Sequence, residues 1–258
     1  ILICCVFFFQ AEDGIRVLVR SRGLGDVYKR QQGINTYESD HSIIEDNIVH
    51  DSYAPNIYLH DATNILCQRN LIYTNPNSQV FPYADHVGIM VGDERDTPAS
   101  NITIINNISF GNNRNFGLFK GNHTIFNILI ANNTFVNGIE SGNVVIKGYH
   151  QNVIFENNLV QQDGSLPIIL IIEDPDVSFS NNLWSKSLPS DSKASSPTDI
   201  VGDPKLAHIG DPFSATWFML TTSSPAIDKS LSLPQVTVDY FGQIRGINPD
   251  IGADELNP

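Results

Sequence analysis

The stretch "SNITIINNISFGN", Ser100 to Asn112, decides the fold. Apolar residues alternate through Ile102 and Ile104, a period of two that argues for a strand and against a helix. An Asn doublet follows, then a second short apolar run. The same pattern recurs in HSIIEDNIVHD (41–51), TNILCQRNLIYTN (63–75), FNILIANNTFVN (126–137), QNVIFENNLVQ (151–161) and DVSFSNNLW (176–184). The anchoring residues are Asn47, Asn70, Asn107, Asn133, Asn158 and Asn182, at spacings of 23, 37, 26, 25 and 24. A repeat of this length built from short strands implies a sheet that coils, each repeat stacking on the one before. The expectation is an all-β, right-handed parallel β-helix. Each anchoring Asn should sit at a corner, its amide bonded to the equivalent Asn one turn away, in the left-handed backbone that sharp corners require.

A second strand set lies between these segments: NIYLHD (56–61), GIMVGD (88–93), GLFKGN (117–122), VVIKGY (144–149) and IILIIED (168–174). Extra residues in 75–100 account for the one long interval and should project as loops.

The opening FFFQAEDGIRVLVRSRGLGDVYKRQ (7–31) reads unlike anything after it. Its charges follow the apolar run ILICCVFFF, the reverse of a secretory signal, and nine residues are too few to span a bilayer. SRGLGDVYKRQ (21–31) and FFFQAEDGIR (7–16) resemble translated sequencing-adapter sequence. On that resemblance residues 1–31 are non-native and the coil is N-terminally truncated at Gln32. Residues 32–184 are then the coil, and 185–258 an irregular closing segment of the same domain, entered through a polar linker or long loop at 185–199.

Residues 32–258 hold 10 basic and 25 acidic residues, a net charge of −15. Such a chain is ill suited to neutralising phosphates, so no nucleic-acid partner is expected. Carboxylates in that number could hold calcium. Cys67 is the only cysteine after residue 31, which rules out an intrachain disulfide there and suits a small core residue. No apolar run after residue 31 is long enough to span a membrane, and a monomer is expected.

DPKL (203–206), FMLTTSSPAID (218–228) and VDYFGQIRGINPDIGADE (238–255) resemble the closing segment of a bacterial, pectate-lyase-like family of right-handed parallel β-helix proteins. With the repeats, the resemblance spans residues 41–255. Ser230 and Asp254 depart from the family pattern. The resemblance implies an extracellular or cell-surface protein and a polysaccharide partner. It does not specify a reaction. By residue chemistry, Asp228, Asp239, Arg245, Asp250 and Glu255 read as a hydrogen-bonded charge set fixing turns at the end of the coil.

Function on a solenoid must come from side chains that successive turns bring to one face. Aligning GLFKG with VVIKG puts Lys120 and Lys147 one above the other. Paired lysines depress one another's proton affinity and would suit the base of a lyase, which removes the proton beside a uronate carboxylate. Asp93 and Glu173 are the candidate calcium ligands, and Tyr58, His60, Tyr149 and His150 the candidate sugar contacts. Two alternatives stand beside the lyase: a non-catalytic adhesin or carbohydrate-binding module, and a glycoside hydrolase using two of Asp93, Glu94, Glu173 and Asp174.

Overall fold

The computed structural model describes residues 32–77, 86–95, 97–173, 175–189 and 192–256. The adapter-like residues 1–31 and the candidate carboxylate Asp174 therefore lie outside the described residues. The strands are β1 (Ile34–Asn35), β2 (Ile43–Glu45), β3 (Ile48–His50), β4 (Ile57–His60), β5 (Thr63–Gln68), β6 (Leu71–Tyr73), β7 (Val87–Asp93), β8 (Ser100–Ile105), β9 (Ile108–Phe110), β10 (Arg114–Lys120), β11 (Phe126–Ala131), β12 (Thr134–Val136), β13 (Val144–Lys147), β14 (Gln151–Glu156), β15 (Leu159–Gln161), β16 (Ile169–Ile172), β17 (Val177–Ser180), β18 (Leu183–Trp184) and β19 (Ile200–Val201).

They form three parallel sheets. The first runs β1-β4-β7-β10-β13-β16, the second β2-β5-β8-β11-β14-β17, and the third β3-β6-β9-β12-β15-β18-β19. Every third strand returns to the same sheet, so the chain is an all-β parallel solenoid. The coil expected from the repeat is present.

Inward side chains keep strict register from turn to turn. In the second sheet Ile44, Cys67, Ile104, Ile130, Phe155 and Phe179 stack in one column. Columns such as Leu59, Val91, Leu118 and Ile146 fill the coil from the first sheet. Each such fully buried side chain stabilises by about 1.5–3 kcal/mol. Burial pushes the Cys67 thiol up to about 12, so the residue is a core apolar group and not a reactive thiol.

The turn from the second to the third sheet always has two residues, and they divide the work. The anchoring Asn is fully buried and forms the ladder. Asn47 Nδ2 donates to Asn70 Oδ1 at 2.9 Å, Asn70 to Asn107 at 2.9 Å, Asn107 to Asn133 at 3.0 Å, Asn133 to Asn158 at 3.0 Å and Asn158 to Asn182 at 3.3 Å. The left-handed backbone, however, belongs to the residue before it: Asp46, Arg69, Asn106, Asn132, Asn157 and Asn181 all have φ between 51° and 59°. This corrects the expectation that one Asn does both tasks. The doublet in "INN" and "ENN" is two residues with two functions.

The ladder is closed by Asp199, whose Oδ1 accepts from Asn182 N at 2.9 Å and whose Oδ2 accepts from Trp184 Nε1 at 2.9 Å and Ser196 N at 3.1 Å. Leu188 and buried Ala194 pack against the last turn of the core. The described residues of 185–199 thus lie as a loop that caps the end of the coil. Replacing Asp199 with Ala takes an acceptor from four donors in one step, Asn182 Nδ2 at 3.4 Å included, and is expected to cost about 2–3 kcal/mol, read as a lowered midpoint in urea.

Residues 202–256 lie along the side of the coil instead of across its end. Phe218, Leu220, Ala226, Ile251 and Ala253 cover the outer face of the third sheet at Leu71, Ile108, Phe110, Val136, Leu159 and Leu183. The left-handed asparagines clasp this segment. Asn106 Nδ2 donates to Val238 O at 2.8 Å, Asn132 Nδ2 to Asp250 O at 3.2 Å, Asn157 Nδ2 to Leu231 O at 3.0 Å and Asn181 Nδ2 to Lys229 O at 3.1 Å. The charge set expected at the coil's end is real but lies on this flank. Arg245 donates to Glu255 Oε2, Gly252 O, Asp250 O and Asn106 Oδ1, while Asp239 and Asp250 accept from turn amides.

Asp254 sits in this set with one buried oxygen unpartnered among the described residues. Burial pushes its carboxyl up to about 6, from an ordinary 3.8. A carboxyl whose folded pKa is raised favours the protonated form in the fold. Its penalty is therefore absent below about pH 4, grows between pH 4 and 6, and is complete above that window. Asp254→Asn keeps the acceptor for Leu220 N. It is expected to stabilise the protein by on the order of 2 kcal/mol at pH 7 and by nothing at pH 4. Chemical denaturation at the two pH values checks this.

Candidate functional site

The turn from the first to the second sheet varies in length, and the polar side chains gather there. The register corrects one expectation at once. Lys147 pairs with Phe119, whereas Lys120 pairs with Asp93 on the other side. The two lysines do not share a column. The reason is packing: Leu118 and Ile146 both point into the coil, and aligning those buried groups displaces the matching "KG" text by one residue. The proposed mutual depression of two stacked lysines has no geometric basis.

Two aligned rows result. His60, Gly92, Phe119, Lys147 and Ile172 run across the outer face. Asp61, Asp93, Lys120, Gly148 and Glu173 follow one residue later, at the corner.

At one end of these rows is a compact cluster. The Tyr58 ring lies flat over Gly92, where an added Cβ would meet Tyr58 Oη at 2.7 Å. His60 stacks on Tyr58 with centroids 4.5 Å apart and planes 8° apart, and Tyr37 meets His60 edge-on at 5.0 Å. Tyr58 Oη donates to Glu94 Oε1 at 2.7 Å. Burial, then that bond to a carboxylate, raises the phenol far above its usual range, so Tyr58 stays protonated. Arg95 lies over the Tyr37 ring at 5.8 Å.

Beneath His60, Asp61 is fully buried. Its Oδ1 accepts from the backbone amides of Glu94 at 2.9 Å and Arg95 at 3.3 Å. Its Oδ2 lies 3.0 Å from His60 Nε2. The pair is close but makes no hydrogen bond of acceptable geometry, and Glu94 Oε2 lies 3.8 Å from the same nitrogen. His60 Nδ1 has no hydrogen-bond partner among the described residues, and the side chain is 11% exposed.

The other sequence-derived residues separate from this cluster. Asp93 is wholly buried and serves the turn that follows β10: it accepts from Asn122 N at 2.9 Å and His123 N at 2.7 Å. Glu173 lies three strands away, roughly 14 Å at ordinary strand spacing. Asp93 and Glu173 therefore do not form one calcium site, and among the described residues no three His, Cys, Asp or Glu side chains converge to hold a metal. His150 braces its own turn, with Nε2 3.0 Å from Lys147 O, and burial lowers its pKa. Tyr149 is 57% exposed and takes the Lys120 ammonium over its ring at 5.7 Å. Lys147 is exposed on the outer row.

The structure thus joins Tyr58 with His60, and Lys120 with Tyr149, and sets His150 apart as a brace. Tyr37 and Arg95 had no place among the sequence candidates. The alternation in "INTYE", parallel to that in "NIYLH", carried a signal for Tyr37; nothing local in "GDERD" marked Arg95.

No helix among the described residues is long and apolar enough to cross a membrane. No protein-family model matches the chain, and no curated protein matches it. Among solved structures it is similar to one described as "Crystal structure of pectate lyase Pel9A", with a TM-score of 0.41 and 14% identity, over 88% of this chain and 68% of that one. The fold assignment rests on the strand order and register given above.

Proposed function

We propose that the chain binds an extracellular, uronate-containing polysaccharide along the outer face of the first sheet and cleaves it by β-elimination, with His60 as the base. The observation that supports this best is the His60–Asp61 pair. A buried carboxylate, itself fixed by two backbone amides, lies 3.0 Å from one imidazole nitrogen, Nε2, and Nδ1 has no hydrogen-bond partner among the described residues.

In this reading His60 Nδ1 takes the proton from the sugar carbon beside the carboxylate. That electron pair forms a carbon–carbon double bond as the adjacent carbon–oxygen glycosidic bond breaks, and the leaving oxygen takes a proton from water. Arg95, stacked on Tyr37, supplies positive charge for the uronate carboxylate as it gains electron density. Lys120 with Tyr149, and Lys147, lie further along the same direction and suit neighbouring sugar units. Phe119 adds a flat ring on the outer row, with Arg114 at 5.4 Å over it.

A glycoside hydrolase fits less well. It needs two carboxylates facing one bond; of its candidates Asp93 is buried and used by backbone amides, Glu94 accepts from Tyr58 Oη, Glu173 lies three strands from Asp93, and Asp174 is outside the described residues. A non-catalytic module needs the aromatic and cationic face but not the His60–Asp61 pair.

The test is a panel of pectic, alginate-type and glycosaminoglycan polymers, each assayed for ultraviolet-absorbing unsaturated ends and for new reducing ends. Unsaturated ends appearing in step with reducing ends support elimination. Reducing ends alone indicate hydrolysis, and retention without cleavage indicates a binding module.

A further inference from the structure

The second sheet carries a feature that the first-sheet site does not use. Asn101, Asn127 and Asn152 occupy the same position near the start of β8, β11 and β14, all with left-handed backbone at φ 54°, 57° and 50°. Their side chains are exposed and form another ladder. Asn152 Nδ2 donates to Asn127 Oδ1 at 2.9 Å, Asn127 to Asn101 at 3.0 Å and Asn101 to Asn64 at 3.1 Å. Asn64 then donates to Asp40 at 2.7 Å. An amide in such a row spends one N–H and one lone pair on its neighbours and has one of each remaining. The row therefore presents an oriented donor and acceptor once per turn, about 4.8 Å apart.

Beside the row the sheet's outer surface is aliphatic, through Leu129 and Ile154, and half-buried. Further across, Leu233 and Val236 of the closing segment pack with Ile105 and Ala131, and Leu66 and Leu129 lie against the same cluster. Gln235 and Glu156 form the opposite wall of the resulting groove, whose volume is about 370 Å³. The groove runs along the coil axis, across the strands.

The geometry points to a second binding site here, for a neutral, linear hexopyranose polymer. Such a chain has apolar ring faces and hydroxyl edges, and it advances by about one ring per turn of the coil. An extended peptide matches poorly, because its like-facing groups repeat at about 6.7 Å. A polyanion matches poorly too, since Glu156 and the chain's net charge of −13 oppose it. The site would hold the protein on a matrix glycan independently of the first-sheet face.

Affinity electrophoresis tests this, with native gels containing hydroxyethyl cellulose, galactomannan or polygalacturonate. Asn127→Gly removes one amide without opposing the left-handed backbone. Leu129→Glu places a second carboxylate in the groove. The wild type should be retarded by at least one neutral polymer, and each variant should weaken that retardation at least tenfold while circular dichroism is unchanged. His60→Ala should be retarded like the wild type. No retardation by either neutral polymer overturns the proposal. So does retardation that both folded groove variants retain, or groove-dependent retardation by polygalacturonate alone.

Discussion

Asn133→Ala is expected to lower unfolding free energy by about 3–5 kcal/mol, among the largest losses available to a single substitution in this chain. Asn133 is buried at the middle of the inner ladder. Its Nδ2 donates to Ile104 O, Ala131 O and Asn158 Oδ1, and its Oδ1 accepts from the backbone and side-chain nitrogens of Asn107. Truncation takes a bond from three carbonyl oxygens and two donors in a region closed to water. A buried group left without its bond loses about 1–3 kcal/mol, and part of that is recovered by relaxation. Asn132→Ala, one residue away, should behave differently. It loses clasping bonds to Asp250 and Ser230 and forces Ala into the left-handed region. Asn132→Gly should restore the backbone share of that loss, whereas Asn133→Gly should recover nothing. Urea denaturation of the four variants separates the two roles of the doublet.

His60→Ala is expected to reduce elimination at least 100-fold, the lower range for loss of a general base. His60→Gln keeps the bulk and the stacking surface on Tyr58 and should be equally impaired. Asp61→Asn retains Oδ1 for the Glu94 and Arg95 amides, so the turn should survive, but it removes the charge beside Nε2. A loss in kcat of about tenfold or more with little change in KM is expected. Lys120→Ala and Lys147→Ala should mainly raise KM. If either lysine variant instead abolished kcat with the fold intact, the base would lie among the lysines and not at His60.

The coil was legible because two periodic signals coincide: apolar alternation and an Asn that recurs in phase with it. The buried ladder follows directly. The exposed ladder was missed although Asn64, Asn101, Asn127 and Asn152 lie inside the repeated strand segments, because the reading followed the apolar alternation and the Asn at the far end of each segment. The lysine register was misread because a shared Lys-Gly is conspicuous, while the buried Leu118 and Ile146 that fix the pairing are ordinary residues. The capping role of this loop was hidden by its polarity: of its described residues Leu188, Ala194 and Asp199 bear on the core, and no periodicity marks them. Of the candidate site, Tyr58 and His60 were found from their place in the strand. Arg95 reaches Tyr37 through folding alone, across more than fifty residues of sequence.

The most direct measurement is the initial rate of unsaturated-end formation, by ultraviolet absorbance, on the best polymer of the panel for the wild type and His60→Ala side by side. The expected result is a clear wild-type rate that falls at least 100-fold in the variant, with both proteins folded. A wild type that forms no unsaturated ends on any uronate polymer, or a variant that matches its rate, would contradict elimination at this face.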